Sequence, residues 1–72
     1  MSADEMFQEL GYRKLVGDIK EVYIDARHSK EILFSLPLKR INFSGQCRFI
    51  DMQELQAIYT KCKELGWIQE EN

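Results

Sequence analysis

The sequence predicts an α+β domain with a short N-terminal helix, an antiparallel meander of three or four strands, and a long C-terminal helix packed on one sheet face. Two observations predict this class. Apolar residues recur at helical spacing near both ends of the chain, and they alternate with polar residues in between. The length of 72 residues is typical of one domain, so residues 1–72 are predicted to fold as a single unit.

A short phrase occurs twice, as ELGY at residues 9–12 and as ELGW at residues 64–67. Glycine adopts the left-handed conformation at little cost and is the residue that most often follows the last turn of a helix. The phrase is therefore interpreted as a helix stop used twice, in which an aromatic ring folds back onto the last turn. The segments between the two copies share no pattern, which argues against an internal repeat.

The first helix is predicted to begin at Ser2, because Ser2 and Glu5 have the spacing of a capping box. The apolar residues that would share one face of this helix are Met6, Phe7 and Leu10. Gly11 should end the helix, and Tyr12 should then lie against Phe7.

The middle of the chain has the two-residue period of strands. Alternating segments occur around residues 21–26, 31–36 and 41–44, and a shorter strand at residues 13–16 is a further candidate. Pro37 cannot donate to a ladder, so it should mark a break or an edge. The side chains expected on the helix-covered face are Val22, Ile24, Ile32, Phe34, Ile41 and Phe43, with Phe49 as a further candidate.

The second helix should begin at Asp51, which forms another capping box with Glu54. Its apolar stripe is predicted to contain Leu55, Ile58, Tyr59, Cys62 and Leu65. Gly66 should end it, and Trp67 should cover Cys62.

Covering one sheet face with both helices would leave the opposite face open. The residues expected there, and hence the candidate partner surface, are Tyr23, Leu33, Arg40, Asn42 and Arg48. An aromatic ring beside arginines can anchor a protein interface or stack on bases.

Motifs for catalysis, metals and cofactors are not found in the sequence. The four glycines stand apart at positions 11, 17, 45 and 66, so no phosphate-binding loop is present. One histidine and two distant cysteines make a poor zinc ligand set. His28, in a polar turn near Asp25, could act as a base, yet no nucleophile or oxyanion donor accompanies it. The sequence therefore predicts no catalytic, metal or cofactor site, and a protein that is not an enzyme.

The location predicted from the sequence is the cytoplasm. Cys47 and Cys62 have no disulfide-like spacing, which is typical of a reducing compartment. The N-terminal segment is acidic and lacks the apolar core of an export signal. No apolar run approaches the roughly 20 residues that span a bilayer, so no membrane association is expected.

The charge is distributed unevenly although the net charge is only −2. Residues 26–48 carry a net charge of +4, and the segments on either side carry −3 each. Nucleic-acid binding through the basic middle is therefore the alternative function. The side chains that would contact phosphates are Arg27, Lys30, Lys39, Arg40 and Arg48. The pI near 5.3 argues against this alternative.

The stretch FIDMQELQAIYTKCKELGWI, residues 49–68, resembles the closing segment of a family of small proteins encoded in phages and prophages of Gram-positive bacteria. The opening MFQELGY, residues 6–12, resembles the start of the same family. The residues that match the closing pattern are Glu54, Leu55, Ala57, Ile58, Leu65, Gly66 and Trp67. The resemblance implies a phage-derived origin, and it implies no activity and no functional residues. The middle of the chain departs from it, notably at Pro37.

The leading hypothesis is a small non-catalytic protein of phage or prophage origin that acts as a protein-interaction module. Its partner would be another protein or a second copy of the chain. The compact framed sheet and the absence of a catalytic constellation favour this interpretation.

Overall fold

The computed structural model describes residues 1–69 and has the predicted α+β architecture. Its elements are α1 (Ala3–Glu9), β1 (Arg13–Val16), β2 (Lys20–Asp25), β3 (Lys30–Ser35), β4 (Arg40–Gly45) and α2 (Met52–Glu64). The four strands form one antiparallel sheet in the order β1-β2-β3-β4. The candidate strand at residues 13–16 is thereby confirmed, and Pro37 lies in the turn between β3 and β4.

Both helices begin and end as the sequence predicts. Ser2 caps α1 and Asp51 caps α2, and each forms a complete capping box with the glutamate three residues later. At the other ends, Gly11 has φ +96° and Gly66 has φ +76°. The following aromatic residue donates its backbone N–H to the carbonyl of the residue five positions earlier, at 3.0 Å and 2.9 Å respectively. Each helix thus ends in a Schellman motif, which requires a left-handed residue after the cap.

The core lies between the helices and one face of the sheet. The buried residues that form it are Phe7, Tyr12, Tyr23, Ile32, Phe34, Ala57, Ile58 and Cys62. The ring of Tyr12 meets Phe7 edge-on at 5.5 Å between centroids, as predicted. Half-buried Trp67 folds back toward the last turn of α2, and its ring lies 6.1 Å from that of Phe34.

Strand β2 faces the opposite way from the prediction. Tyr23 pairs with Ile32 in the register, so it points toward the helices, whereas Val22 pairs with Leu33 on the open face. The ring of Tyr23 is 1% exposed and stacks on Phe7 at 4.0 Å. Its hydroxyl donates to Asp4 at 2.6 Å, which gives the polar end of the buried ring a partner. Placing Val22 and Ile24 on the covered face, and Tyr23 on the open face, was therefore wrong.

The stripe predicted for α2 was also partly wrong. The residues of α2 that are buried are Glu54, Ala57, Ile58, Lys61 and Cys62, whereas Leu55 and Tyr59 are exposed. Lys61 Nζ lies 2.7 Å from Glu21 Oε1 on β2, so the long side chain spans the sheet surface and ends in an ion pair. A charged residue can occupy a covered helix position when its head group is paired.

The segment after β4 does not continue the sheet. Residues 46–51 have no strand assignment, and both Arg48 and Phe49 are exposed. Phe49, a further candidate for the covered face, is therefore not part of it.

Gly66→Ala should lower the free energy of unfolding by about 1 kcal/mol, because an L side chain is strained at the left-handed position. A Cβ at Gly66 would meet no neighbouring atom, so backbone strain alone is measured. Gly17→Ala is the matched control, since Gly17 has no positive φ. Urea denaturation of both variants tests this, and equal midpoints would contradict the Schellman assignment.

Tyr23→Phe should destabilise the protein by about 1 kcal/mol, because it removes a part-buried hydrogen bond to Asp4 and keeps the ring. The control Tyr59→Phe changes an exposed tyrosine on α2 and should be near neutral. Thermal unfolding of the two variants gives the comparison. If Tyr23→Phe left the stability unchanged, the Tyr23 side chain would not point toward the helices as described.

Candidate functional site

The predicted partner surface is only partly assembled. Leu33 and Asn42 are cross-strand neighbours on the open face, and Arg40 lies on that same face of β4. Tyr23 is buried on the other side, and Arg48 lies beyond the end of the sheet. In place of Tyr23 the open face presents Val22, which is itself buried next to Leu33. The open face therefore exposes less apolar surface than the sequence predicted.

The helices cover the sheet from one side only. Helix α1 lies over β1 and β2, since Phe7 stacks on Tyr23 and Asp4 pairs with Lys14 at 2.9 Å. Helix α2 lies over β2 and β3, through Lys61 on Glu21 and Glu54 on Lys30. None of these contacts involves strand β4. Its side chains on the covered face are consequently only partly covered.

An apolar strip follows from this incomplete coverage. Glu64 of α2 accepts from the Ala3 backbone N–H, and Gln53 lines a pocket with Met6 of α1, so the flank of α2 that carries Gln53 and Glu64 faces α1. At about 100° per residue, Met52, Leu55 and Tyr59 lie within about 60° of one another and about 100° or more from Gln53 and Glu64. Because α1 lies over β1 and β2, we infer that this second flank is the one nearer β4. Phe43 and half-buried Ile41 lie on β4 beside the buried Ile32 and Phe34. We name the set Ile41, Phe43, Met52, Leu55 and Tyr59 the β4 shelf.

The exposure of the β4 shelf is large for aromatic and aliphatic side chains. Phe43 and Leu55 are each 47% exposed, Tyr59 is 43% exposed, and Met52 is 65% exposed. Single exposed apolar residues are ordinary, whereas large exposed apolar patches are unusual on a monomeric protein. The sequence does contain a signal for it. Met52, Leu55 and Tyr59 form a second stripe at i, i+3 and i+7, beside the stripe that enters the core.

Exposed basic residues flank β4 along the chain. Arg40 begins β4 with its side chain on the open face, Lys39 precedes it, and Arg48 lies in the following loop. Lys63 Nζ lies over the Tyr59 ring, 4.9 Å from its centroid. No aspartate or glutamate lies on β4 or on the flank of α2 that carries Leu55 and Tyr59. The charged residues on β4 and on this flank of α2 are therefore all basic.

A polar cleft of about 410 Å³ lies at the opposite end of the fold from the α2 stop, where α2 begins. Its central group is the carboxylate of Glu54, whose side chain is 5% exposed. Oε1 accepts from the Asp51 backbone N–H at 3.1 Å, and Oε2 lies 2.7 Å from Lys30 Nζ. The Tyr12 hydroxyl donates to the same Oε2. One carboxylate thus joins α2, β3 and the chain that follows α1.

The titration of this cluster follows from its contacts. Burial alone would raise the pKa of Glu54, but the hydrogen bonds from its three partners outweigh burial and hold the pKa below its ordinary range. Burial and the hydrogen bond to Glu54 raise the pKa of Tyr12. The carboxylate and the Lys30 ammonium are therefore both charged near neutral pH, and they form a structural ion pair.

His28 and Asp25 form a close pair at the edge of the cleft. His28 Nδ1 lies 2.7 Å from Asp25 Oδ2, although the imidazole itself is 64% exposed, as expected for a turn residue. Burial would raise the pKa of Asp25, but the hydrogen bond and charge of His28 lead the contributions that lower it overall. The pair closes the β2–β3 turn, in which the His28 N–H also donates to the Asp25 carbonyl at 3.3 Å.

A histidine–aspartate pair can orient an imidazole for proton transfer, but the reaction also needs a nucleophile or a bound water beside it. The described residues that line the cleft include no serine, threonine or cysteine. Cys62 is buried in the core, and burial raises the pKa of its thiol, which disfavours the reactive thiolate. Within residues 1–69, no three histidine, cysteine, aspartate or glutamate side chains cluster closely enough to hold a metal ion.

Neither helix within residues 1–69 has the length and hydropathy needed to cross a bilayer. The comparisons with known proteins add no relative: no family model, no curated protein and no solved structure matches the chain. Function has therefore to be inferred from the geometry of this chain.

Glu54→Gln should lower the free energy of unfolding at neutral pH by about 1–3 kcal/mol, because Lys30 is then buried without its counter-charge. Because the folded pKa of Glu54 is depressed, its contribution is present above the ordinary carboxyl range and is lost as the pH falls below about 5. The variant should therefore lose less stability on acidification than the wild type. Urea titrations at several pH values test this.

Glu9→Gln is the control for that experiment, since Glu9 is exposed on α1, outside the Glu54 cluster, and its replacement should change the stability little. If Glu54→Gln followed the wild-type pH profile, the carboxylate would not be the junction described.

Proposed function

We propose that this protein is a non-catalytic protein-interaction module and that it binds its partner at the β4 shelf. One observation carries the proposal. The side-chain contacts of the two helices reach strands β1 to β3, and Phe43 on β4 and Leu55 and Tyr59 on α2 are each 43% to 47% exposed. Aromatic and aliphatic side chains in a contiguous patch with a polar rim supply most of the energy of protein interfaces.

The polar groups of the molecule support the same assignment. Two close ionic contacts join α2 to the sheet: Lys30 with Glu54, and Lys61 with Glu21. Both pairs stabilise the packing, and Lys30 and Glu54 also line the cleft that a small substrate would need. The surface that we propose binds a partner is therefore the one on the β4 side of the molecule.

An origin in a phage or prophage of a Gram-positive bacterium, and action in the host cytoplasm, are part of the proposal. They rest on the resemblance of residues 1–12 and 49–68 and on the spacing of the two cysteines. A domain with a modest core leaves little room for an enclosed active site, which favours a role in binding.

Nucleic-acid binding is the competing function, and the contact of Lys30 argues against it. Lys30 is one of the five cations of the basic segment, yet its side chain is only 12% exposed and its ammonium pairs with Glu54. The exposed cations Lys39, Arg40 and Arg48 lie at or beyond the ends of β4, near one edge of the sheet. Phosphate contacts along a duplex need a broader basic face.

A photo-cross-linking residue at Leu55 should yield a discrete protein adduct in bacterial lysate, and the same residue at Val16 should not. Both positions are exposed, but Val16 lies on the opposite edge of the sheet. The Leu55 adduct should disappear when Phe43→Lys is introduced, because a charge on the shelf is costly to desolvate. Gel mobility before and after nuclease treatment identifies the adduct.

Equal adducts at both positions, or an adduct that survives Phe43→Lys, would contradict the shelf as the binding surface. A nuclease-sensitive adduct would replace the proposal with nucleic-acid binding. Circular dichroism of Phe43→Lys provides the folding control, since Phe43 is half exposed and its replacement should preserve the fold.

A further inference from the structure

The outer edge of β4 has no strand partner within residues 1–69. The sheet order places β1 at one edge and β4 at the other, and β3 occupies the inner side of β4. Each edge strand presents a row of backbone donors and acceptors on which another strand can form. The two edges of this sheet differ in how far they are protected against such pairing.

Strand β1 is a protected edge. It has four residues, and its Lys14 points toward the helices, where it contacts Asp4 at 2.9 Å and Glu21 at 3.0 Å. Short length and inward-pointing charge are two devices by which proteins block strand addition. Strand β4 has six residues, no proline, and a single charged residue, Arg40, at its start. It is therefore the edge that remains competent to pair.

A strand added to β4 would alternate its side chains between two different surfaces. On the helix side they would rest on the β4 shelf, against Phe43, Leu55 and Tyr59, and would have to be apolar. On the other side they would lie beside Arg40, Asn42 and Ser44. The edge and the shelf adjoin, so one extended segment can use both.

The charges identify the kind of segment. Residues 26–48, which contain β3 and β4, carry a net charge of +4. Both edge strands of the chain, RKLV and RINFSG, lack acidic residues, so neither edge of a second copy offers a negative charge. Pairing the β4 edges of two copies would bring two basic segments together. An acidic strand from a partner would instead neutralise the positive charge of one segment.

We propose that β4 accepts an extended, acidic segment of a partner protein as a fifth strand, with alternate apolar side chains on the β4 shelf and alternate acids beside Arg40. This inference rests on the proposed function, since it specifies how the shelf is used. Backbone hydrogen bonds supply affinity in such complexes, and the alternating side chains supply selectivity.

The test uses the full chain, labelled with ¹⁵N, and a short synthetic peptide in which glutamate alternates with valine or isoleucine. Binding should shift the amide signals of β4 and leave those of β1 unchanged. Replacing glutamate by lysine in the peptide should weaken binding about tenfold or more, and raising the salt concentration should weaken the original peptide.

Backbone N-methylation of the peptide distinguishes strand addition from docking of side chains alone. An edge-paired strand directs alternate N–H groups toward β4, so methyl groups in one frame should abolish binding and those in the other frame should be tolerated. Phe43→Ser in the protein should weaken binding about tenfold, because it removes a central shelf contact. Val16→Ser, on the β1 edge, is the matched control and should leave binding unchanged.

Equal tolerance of both methylation frames, or tighter binding of a helical peptide of the same composition, would overturn strand addition. In either case a Leu55 adduct abolished by Phe43→Lys would still support the shelf as the partner site, so the two failures are distinguishable. Light scattering that shows a dimer broken by Phe43→Ser would also overturn the inference, because a second copy would then occupy the edge.

Discussion

The stack of Tyr23 on Phe7 is the contact on which the arrangement of this molecule depends. The two rings lie 4.0 Å apart, and Phe34 meets both edge-on. This cluster draws the middle of β2 toward α1 and so determines which residues of the strand enter the core. Large aromatic side chains bury more area than the aliphatic neighbours Val22 and Ile24, and a tyrosine that finds an acceptor loses little by being buried. Asp4 supplies that acceptor.

The orientation of β2, with Tyr23 pointing toward the helices, has two consequences. Glu21 and Asp25 point to the same side as Tyr23, so charged groups enter the covered face and need partners there. Lys61 and His28 provide those partners, while Glu54 and Lys30 pair at the other end of α2. In addition, α1 and α2 are both placed over the β1–β3 part of the sheet. The uncovered strip at β4 is the structural result of that placement.

In this small domain the groups that hold the fold together lie in the polar cleft, whereas the proposed binding surface is the apolar shelf. The cleft contains two carboxylates, Asp25 and Glu54, whose pKa is lowered by their partners, yet each of them holds chain segments together. Perturbed titration often marks an active site, but structural ion pairs perturb pKa values in the same way. The signal of the shelf is instead the exposure of side chains that normally avoid water. The proposed function of this protein therefore rests on its exposed apolar side chains and not on the titratable groups of the cleft.

The sequence by itself determined the features that depend on neighbours along the chain. Both capping boxes, both glycine stops and the break at Pro37 follow from local steric and hydrogen-bonding rules, and the structure has all of them. These interactions act over a few residues and need no knowledge of the rest of the fold.

Only the tertiary structure decided which face of β2 and which flank of α2 entered the core. Both faces of β2 carry apolar residues, and α2 has two neighbouring apolar stripes, so the local pattern allowed either choice. Phe7 and Asp4 selected Tyr23, and the ion pair of Lys61 with Glu21 turned Leu55 and Tyr59 outward. Contacts between residues distant in sequence thus decided which apolar residues remain exposed in the β4 shelf. The two faces of β2 and the two stripes of α2 have similar apolar content, so only their packing against the rest of the chain distinguishes them.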